Sequence, residues 1–173
     1  ARIDRRLAVD GPVAEPIDYM LRMRRFPPRA LLSERLADGR LLATDVDALA
    51  RRVATLHQQS PRAPIGSGWG GAERIAGDAR AVLQRLRQQG AAVDDLQSWL
   101  ETEVVRLGPL WQGRLADGWV RECHGDLHLR NAVMLDASQG DAVVAFDGLE
   151  FDPALRWIDV QSDLAFMTMD LQA

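Results

Sequence analysis

The chain has 173 residues, of which 47% are hydrophobic and 27% are charged, and its formal net charge is −4 at pH 7. These values are typical of one globular domain or a large part of one, and they exclude a collagen-like or disordered chain. Cys123 is the single cysteine, which excludes an internal disulfide and fits a reducing compartment. No apolar run reaches the roughly 18 residues of a membrane span, and the N-terminal residues do not resemble a signal peptide. We therefore expect a cytoplasmic protein with no membrane contact, and the mildly acidic charge predicts no nucleic-acid partner.

Lysine is absent from the chain, so all 21 basic residues are arginines. Any mechanism that needs a lysine, such as a phosphate-binding P-loop or a Schiff base, is therefore incomplete within these residues. The chain starts with Ala1 rather than Met, and it ends at Ala173 inside an amphipathic pattern. We expect it to be part of a longer protein, whose full length can include a further domain.

The N-terminal residues are predicted to form a β-hairpin. Residues 5–9 and 17–23 are expected to be its strands, because the turn signal Asp10-Gly11 separates them. Pro27-Pro28 follows and ends the extended region, since neither proline can donate to a strand ladder.

Helical periodicity dominates the middle of the chain. Four amphipathic helices are expected, over residues 29–37, 45–59, 72–89 and 94–107. Thr44 is predicted to cap the second helix, and Gly108-Pro109 is predicted to end or kink the fourth. Residues 60–71 are predicted to be a connecting loop.

The last third of the chain changes in character. Residues 123–131 are polar and irregular, residues 132–135 and 142–146 are predicted to form a second hairpin, and a last helix is expected from Asp152 onward. The order of elements therefore predicts an α+β fold, with a mainly helical body that carries a small hairpin.

The densest group of functional side chains lies in the predicted polar loop. Its members are His124, Gly125, Asp126, His128, Arg130 and Asn131. Asp147 follows the second strand of the hairpin, and because a hairpin returns that strand alongside the first, we expect Asp147 beside Asn131. A carboxylate and an amide oxygen in one place suit Mg²⁺, which commonly shares its site with phosphates.

The spacing of these residues matches the phosphoryl-transfer template of kinases. In that template an Asp orients and deprotonates the acceptor hydroxyl, an Asn binds the metal, and a second Asp bridges the metal and the phosphates. The pattern D-x-x-x-x-N alone occurs by chance in many chains. Combined with the preceding His-Gly, the hairpin and Asp147, it predicts a phosphoryl-transfer site.

Three segments of the chain resemble the aminoglycoside phosphotransferase and choline kinase-like superfamily, in particular a bacterial branch of uncharacterised phosphotransferases. They are HGDLHLRN, VVAFDGLEF and RWIDVQSDLAF. The resemblance implies a protein-kinase-like fold. Residues 1–27 would be the last strands of the N-terminal lobe and the hinge, and residues 28–173 would be the helical C-terminal lobe. That lobe would contain the catalytic loop at 123–131 and the metal-binding hairpin at 131–148.

The same resemblance implies roles for individual residues and two cofactors, ATP and Mg²⁺. Asp126 matches the catalytic aspartate of the family, and Asn131 and Asp147 match its two magnesium ligands. His124 and Asp163 match residues that support the catalytic loop.

The resemblance also implies the contacts to the nucleotide and to a small-molecule acceptor. Met23, Arg24 and Phe26 match the hinge that holds adenine, and Val133 is expected beneath the adenine. Three further residues are candidates for contacts to the acceptor or to a phosphate, namely His128, Arg130 and Glu150. Arg130 can also pair with Asp126. For His128 and Arg130 a solvent-exposed role is an open alternative, and Glu150 can instead cap the last helix.

Relatives in this superfamily also carry a phosphate-covering loop and a strand lysine, and this chain contains neither, so we expect the chain alone to be inactive. A non-catalytic kinase-like binding or regulatory module is one alternative function. A metallophosphoesterase is a remote alternative, because it needs a two-metal cluster of His and Asp ligands and the chain has three histidines. One of these, His57, is predicted to be an ordinary surface residue.

Overall fold

The N-terminal residues form a short two-stranded ribbon. The structure is a computed structural model that describes residues 25–135 and 143–172, together with the backbone of these two strands. Strand β1 (Arg2–Ile3) pairs antiparallel with β2 (Asp18–Tyr19), with Arg2 opposite Tyr19. β2 lies within the predicted strand 17–23, whereas the predicted strand 5–9 lies outside the described residues.

Four helices follow the ribbon. They are α1 (Leu32–Ala37), α2 (Ala43–Gln59), α3 (Ala72–Gln88) and α4 (Asp94–Ala116). The helices predicted over 45–59 and 72–89 agree with α2 and α3 to within two residues.

The predicted N-cap of α2 is wrong, and of the two outcomes predicted at Gly108-Pro109 the helix end is wrong. The N-cap of α2 is Leu42 rather than Thr44, and the N–H of Leu42 donates to the carboxylate of Asp45 at 3.1 Å. Helix α4 continues through Pro109. The bond that proline removes would end on the carbonyl of Val105, and because Val105 is 80% exposed, water can satisfy that carbonyl.

Helices α3 and α4 form an antiparallel hairpin. Arg80 on α3 donates to both carboxylate oxygens of Glu101 on α4, at 2.8 and 2.6 Å, and Arg87 pairs with Asp94 at 2.7 Å. Several large apolar side chains on these two helices remain exposed, including Val82, Leu86, Leu96 and Trp99. The hairpin therefore lies at the surface of the described structure.

A small antiparallel sheet leads into the polar loop. Strand β3 (Val120–Glu122) pairs with β6 (Trp157–Asp159), with Val120 opposite Asp159. Residues 61–63 lie against the other edge of β3, since the N–H of Ala63 donates to the Val120 carbonyl at 2.9 Å. Gly70 packs so closely on Val120 that a Cβ at that position would lie 2.6 Å from its side chain, so this end of the glycine-rich segment 60–71 packs against β3.

The single last helix predicted from Asp152 is wrong. The segment forms α5 (Pro153–Arg156), then β6, then α6 (Val160–Gln172). The aromatic and β-branched side chains of Trp157 and Ile158 favour a strand where a partner strand is present. That partner is β3, about 35 residues earlier, so periodicity within the segment does not reveal it.

The second predicted hairpin is confirmed. Strand β4 (Ala132–Met134) pairs antiparallel with β5 (Val143–Ala145), with Ala132 opposite Ala145. The N–H of Met134 donates to the carbonyl of Ala30 at 2.8 Å, so the residues before α1 extend this hairpin on its other side. The core cluster lies between the hairpin, α1, α2 and α6, and it contains Leu32, Leu49, Val53, Leu127, Leu129, Ala132, Val143 and Met167.

These elements confirm the predicted α+β class. Among the described residues, no helix has both the length and the apolar character that crossing a membrane requires.

Candidate functional site

The polar loop over residues 123–131 connects β3 to a 3₁₀ turn (Leu129–Asn131) that leads into β4. Leu127 and Leu129 are almost fully buried in the core cluster, whereas Asp126 and His128 are partly exposed. The two leucines therefore pack the loop onto the core, and the side chains of Asp126 and His128 remain partly exposed.

Gly125 permits the turn that precedes Asp126. Its φ is +84°, a conformation that side chains other than glycine rarely adopt, and an added Cβ would lie 2.7 Å from the carbonyl oxygen of Leu155. The close approach brings the loop against the residues before β6.

Asp126 and Asn131 are in direct contact. The Nδ2 group of Asn131 donates to the backbone carbonyl of Asp126 at 3.0 Å and to its Oδ2 at 3.1 Å. Because the amide nitrogen makes these bonds, the Oδ1 atom of Asn131 is the atom left to accept or to ligate. Nε2 of His128 lies 3.4 Å from Oδ2 of Asp126, and Nδ1 of His128 is buried without a hydrogen-bond partner among the described residues.

The hairpin returns Asp147 to the loop, as the sequence predicts. The N–H of Phe146 donates to the carbonyl of Asn131 at 2.9 Å, so Asp147 directly follows a residue paired with Asn131. Asp147 is exposed and has a φ of +62°, which costs a non-glycine residue about 1–3 kcal/mol. Such strain persists where the surrounding contacts fix the backbone.

His124 makes those contacts. Its Nε2 lies 2.8 Å from the carbonyl of Phe146, its own carbonyl accepts from Leu149 at 2.9 Å, and its Nδ1 lies 3.3 Å from the N–H of Asp126. This pattern fits one tautomer, in which Nε2 carries the proton and Nδ1 accepts. The buried imidazole therefore links the backbone of Asp126 to Phe146, and the backbone carbonyl of His124 binds Leu149 on the other side of Asp147.

Asp163 on α6 is completely buried, and its carboxylate binds the backbone of the same loop. Its Oδ1 accepts the N–H of Gly125 at 2.9 Å, and its Oδ2 accepts the N–H of His124 at 3.2 Å. Nε2 of His57 lies 2.8 Å from the same Oδ2. Three donors thus compensate the burial of this carboxylate.

The prediction that His57 lies on the surface is wrong, since it is buried in α2 beside Asp163. A signal in the sequence indicates this. Leu49, Val53 and His57 follow one another at intervals of four residues, which places the histidine on the inward stripe of the helix.

Cys123 is also buried in this region. Burial, together with the neighbouring carboxylates of Asp163 and Asp159, raises the pKa of the Cys123 thiol to about 12. The thiol is therefore protonated at neutral pH and does not act as a nucleophile.

Ligand atoms of His57, Cys123 and Asp163 lie within 4.8 Å of one another, which raises the question of a metal site. The 2.8 Å between His57 and Asp163 is a hydrogen-bond distance. Two ligands at about 2.0–2.2 Å from one tetrahedral zinc ion would be roughly 3.3–3.6 Å apart. The cluster is therefore a hydrogen-bonded one.

The predicted nucleotide contacts are only partly within the described residues. Met23 and Arg24 lie outside them. The rings of Phe26 and Phe146 pack against each other with centroids 4.8 Å apart, which joins the predicted hinge to the residue before Asp147. Val133 is fully buried and faces Leu31 across a β-bridge, so its contact with adenine stays a prediction.

The three candidates for acceptor or phosphate contacts lie in different surroundings. His128 is beside Asp126, whereas Arg130 is exposed and does not pair with Asp126. Glu150 is exposed beyond Asp147. Asp152, nearby, caps α5 by accepting the N–H of Ala154 at 2.9 Å.

Comparison with known proteins finds relatives without an assigned function. The chain is 26% identical over 168 aligned residues to an uncharacterised protein of Mycobacterium bovis and to uncharacterised proteins of two Mycobacterium tuberculosis strains. The alignment covers 94% of this chain, and the chain spans about a third of the length (32%) of these curated relatives. No protein-family model matches the chain, and no solved structure matches it significantly.

Proposed function

We propose that this chain carries the catalytic loop and the metal-binding hairpin of an ATP- and Mg²⁺-dependent phosphotransferase that acts on a hydroxyl group of a small molecule. The observation that carries the proposal is the contact between Asp126 and Asn131, five residues apart, with Asp147 directly after Phe146, whose N–H donates to the carbonyl of Asn131. This is the residue set that phosphoryl transfer uses in kinases. The kinase-like fold is part of the same proposal.

The donor atoms suit magnesium. Nδ2 of Asn131 is used in bonds to Asp126, which leaves Oδ1 as a hard oxygen ligand, and the exposed carboxylate of Asp147 is a second one. Asn131 and Asp147 would hold the ion, and bound Mg²⁺ would supply neutralisation of the phosphate charge. Asp126 is hydrogen-bonded to the amide of Asn131 and remains partly exposed, so an acceptor hydroxyl can reach its carboxylate.

In the proposed reaction the acceptor oxygen forms a bond to the γ-phosphorus of ATP while the bond from that phosphorus to the ADP oxygen breaks. The hydroxyl proton passes to the carboxylate of Asp126, and ADP leaves with the electron pair of the broken bond. Asp126 therefore orients and deprotonates the acceptor, and the hydrogen bond from Asn131 keeps its carboxylate in place. The chain has no lysine, so a lysine contact to the phosphates would come from outside these 173 residues.

The histidine contacts disfavour a metallophosphoesterase. That chemistry needs several His and Asp ligands around two metal ions. Nε2 of His57 faces Asp163, and both ring nitrogens of His124 face backbone partners. Among the described residues, the one buried histidine nitrogen without a hydrogen-bond partner is Nδ1 of His128.

The proposal is tested by calorimetric titration of the full-length protein with ATP, with and without Mg²⁺. We expect binding that depends on Mg²⁺ and that Asp147→Asn weakens strongly. Asp78→Asn is the matched control, because Asp78 is an exposed carboxylate on α3 that pairs with Arg74. Asp126→Asn should retain nucleotide binding and lose about 10²–10⁴-fold in transfer rate, the span expected for a general base.

Absence of ATP binding under both conditions would overturn the nucleotide site. Mg²⁺-dependent binding in the wild type with no turnover against a panel of hydroxyl compounds would instead favour a non-catalytic binding module.

A further inference from the structure

Helix α6 contacts the loop at two places. Asp163 binds the N–H groups of His124 and Gly125, before Asp126, as described above. Two helical turns further along α6, Oδ2 of Asp170 accepts the N–H of Leu129 at 2.8 Å. Residues seven apart lie on the same face of a helix, so both carboxylates point at the loop.

In the second contact, Asp170 of α6 caps the first N–H of the 3₁₀ turn. The first N–H of a helical turn has no partner within the turn, and His128, which precedes this turn, makes no side-chain cap. Leu129 is buried in the core cluster, where an N–H without an acceptor is costly. Asp170 supplies the acceptor, although it lies 41 residues away in the sequence.

The two contacts flank Asp126. Asp126 lies between them, and Asn131 lies two residues after the second. The backbone on both sides of Asp126 is therefore fixed by α6, and the turn that orients Asn131 starts at a residue bound to Asp170.

His57 completes the first contact from α2. Its Nε2 is the closest partner of Oδ2 of Asp163, at 2.8 Å against 3.2 Å for the N–H of His124. Without His57 a buried carboxylate would keep two of its three donors. A shift of Asp163 would then move the residues that precede Asp126.

We propose that α6 clamps the loop at both ends and that His57 and Asp170 are positioning residues of the site. His57 acts through Asp163 on the residues before Asp126, and Asp170 acts through Leu129 on Asn131. The kinetic consequence rests on the phosphotransferase function proposed above, whereas the effect on the loop backbone does not.

Backbone hydrogen exchange, followed residue by residue by NMR on the full-length protein, tests the clamp without assuming any activity. His57→Leu should speed exchange at His124 and Gly125 about ten- to a hundredfold, the span that a hydrogen bond to a charged group is worth. Asp170→Ala should do the same at Leu129.

The conservative variants His57→Gln and Asp170→Asn should restore most of the protection, because the first retains a donor and the second an acceptor. Val53→Ala is the control for general destabilisation, since Val53 is buried on α2 one turn before His57.

Selective exchange at the named amides, restored by the conservative variants, supports the clamp. Exchange that rises to the same extent throughout the protein, as in Val53→Ala, overturns it, and so does unchanged exchange at these amides.

Once Mg²⁺-dependent ATP turnover has been measured, variants at the two ends of the clamp should change different kinetic parameters. His57→Leu should lower kcat about tenfold or more with little change in KM for MgATP, because it acts next to the base. Asp170→Ala should mainly raise the Mg²⁺ concentration needed for half-maximal rate, because it acts on Asn131. If both variants lowered kcat and raised the required Mg²⁺ concentration to the same extent, the assigned roles would be refuted. If turnover were absent but hydrogen exchange rose selectively at the named amides, the proposed function would be contradicted and the clamp would not.

Discussion

The α3–α4 hairpin and the loop over residues 123–131 are stabilised in opposite ways. In the hairpin, exposed ion pairs join residues 7 and 21 positions apart. In the loop, buried and partly buried backbone N–H groups bind carboxylates of α6 that are 38–41 positions away. The hairpin therefore depends on pairs between its own residues, whereas the shape of the proposed site depends on a helix that is distant in the sequence. Equivalent substitutions in the two regions should therefore have unequal effects.

The largest difference is expected between two glycines with nearly the same backbone conformation. Gly90, in the α3–α4 connection, has a φ of +86° with nothing near its missing Cβ, whereas Gly125 has +84° with a backbone oxygen 2.7 Å away. Gly90→Ala should cost about 1–2 kcal/mol of unfolding free energy from the conformation alone. Gly125→Ala should cost the same amount for its conformation and roughly 1–3 kcal/mol more because of overpacking. It should also weaken Mg²⁺-dependent ATP binding.

Urea denaturation measures both costs, and calorimetry measures the binding. Equal losses of stability for the two variants, with ATP binding unchanged, would mean that the approach to Leu155 does not constrain the loop.

A smaller effect is expected at the ion pair between Asp159, the last residue of β6, and Arg114 of α4. Asp159 is buried, accepts from Nε and Nη2 of Arg114 at 2.6 and 2.8 Å, and accepts the N–H of Gln161 at 2.8 Å. These bonds raise the pKa of Arg114, which shows that the guanidinium is held in its charged form. Asp159→Asn should cost about 2–3 kcal/mol of unfolding free energy, since it leaves a half-buried cation without its carboxylate.

The ATP affinity of the folded Asp159→Asn protein should stay unchanged, because the hydrogen bonds of the Asp159 carboxylate go to Arg114 and Gln161, which lie outside the loop. A loss of affinity at temperatures well below unfolding would show that the sheet and the site are more tightly coupled than their contacts indicate.

The sequence predicts the local parts of this molecule better than the contacts between distant parts. The hairpin that brings Phe146, the residue before Asp147, against Asn131 is encoded within about 20 residues, and it is found as expected. Strand β6 depends on pairing with β3, and the periodicity of its own segment predicted a helix instead.

The supporting residues of the site show the same limit. His57 has no chemical signal of its own near the loop, and only its place on the inward stripe of α2 indicates burial. Asp170 looks like any polar residue near the end of a helix until the structure brings Leu129 to it. Residues that position a site through another residue are the hardest to predict, because their partners are set by the packing of α6.

The smallest effect is expected at the exposed pair of Arg80 and Glu101. The hydrogen bond from Arg80 lowers the pKa of the Glu101 carboxyl below its ordinary value of 4.5. A carboxylate whose pKa is lower in the folded state stabilises the protein above the unfolded pKa, and this contribution is lost as the pH falls through the folded value. Glu101→Gln should therefore reduce the urea midpoint slightly at neutral pH, less so at about 1 M salt because of screening, and its difference from the wild type should disappear on acidification. A loss as large as that of Asp159→Asn, or one that grows on acidification, would contradict this expectation. The surface hairpin would then depend on its charges as strongly as the β3–β6 sheet does.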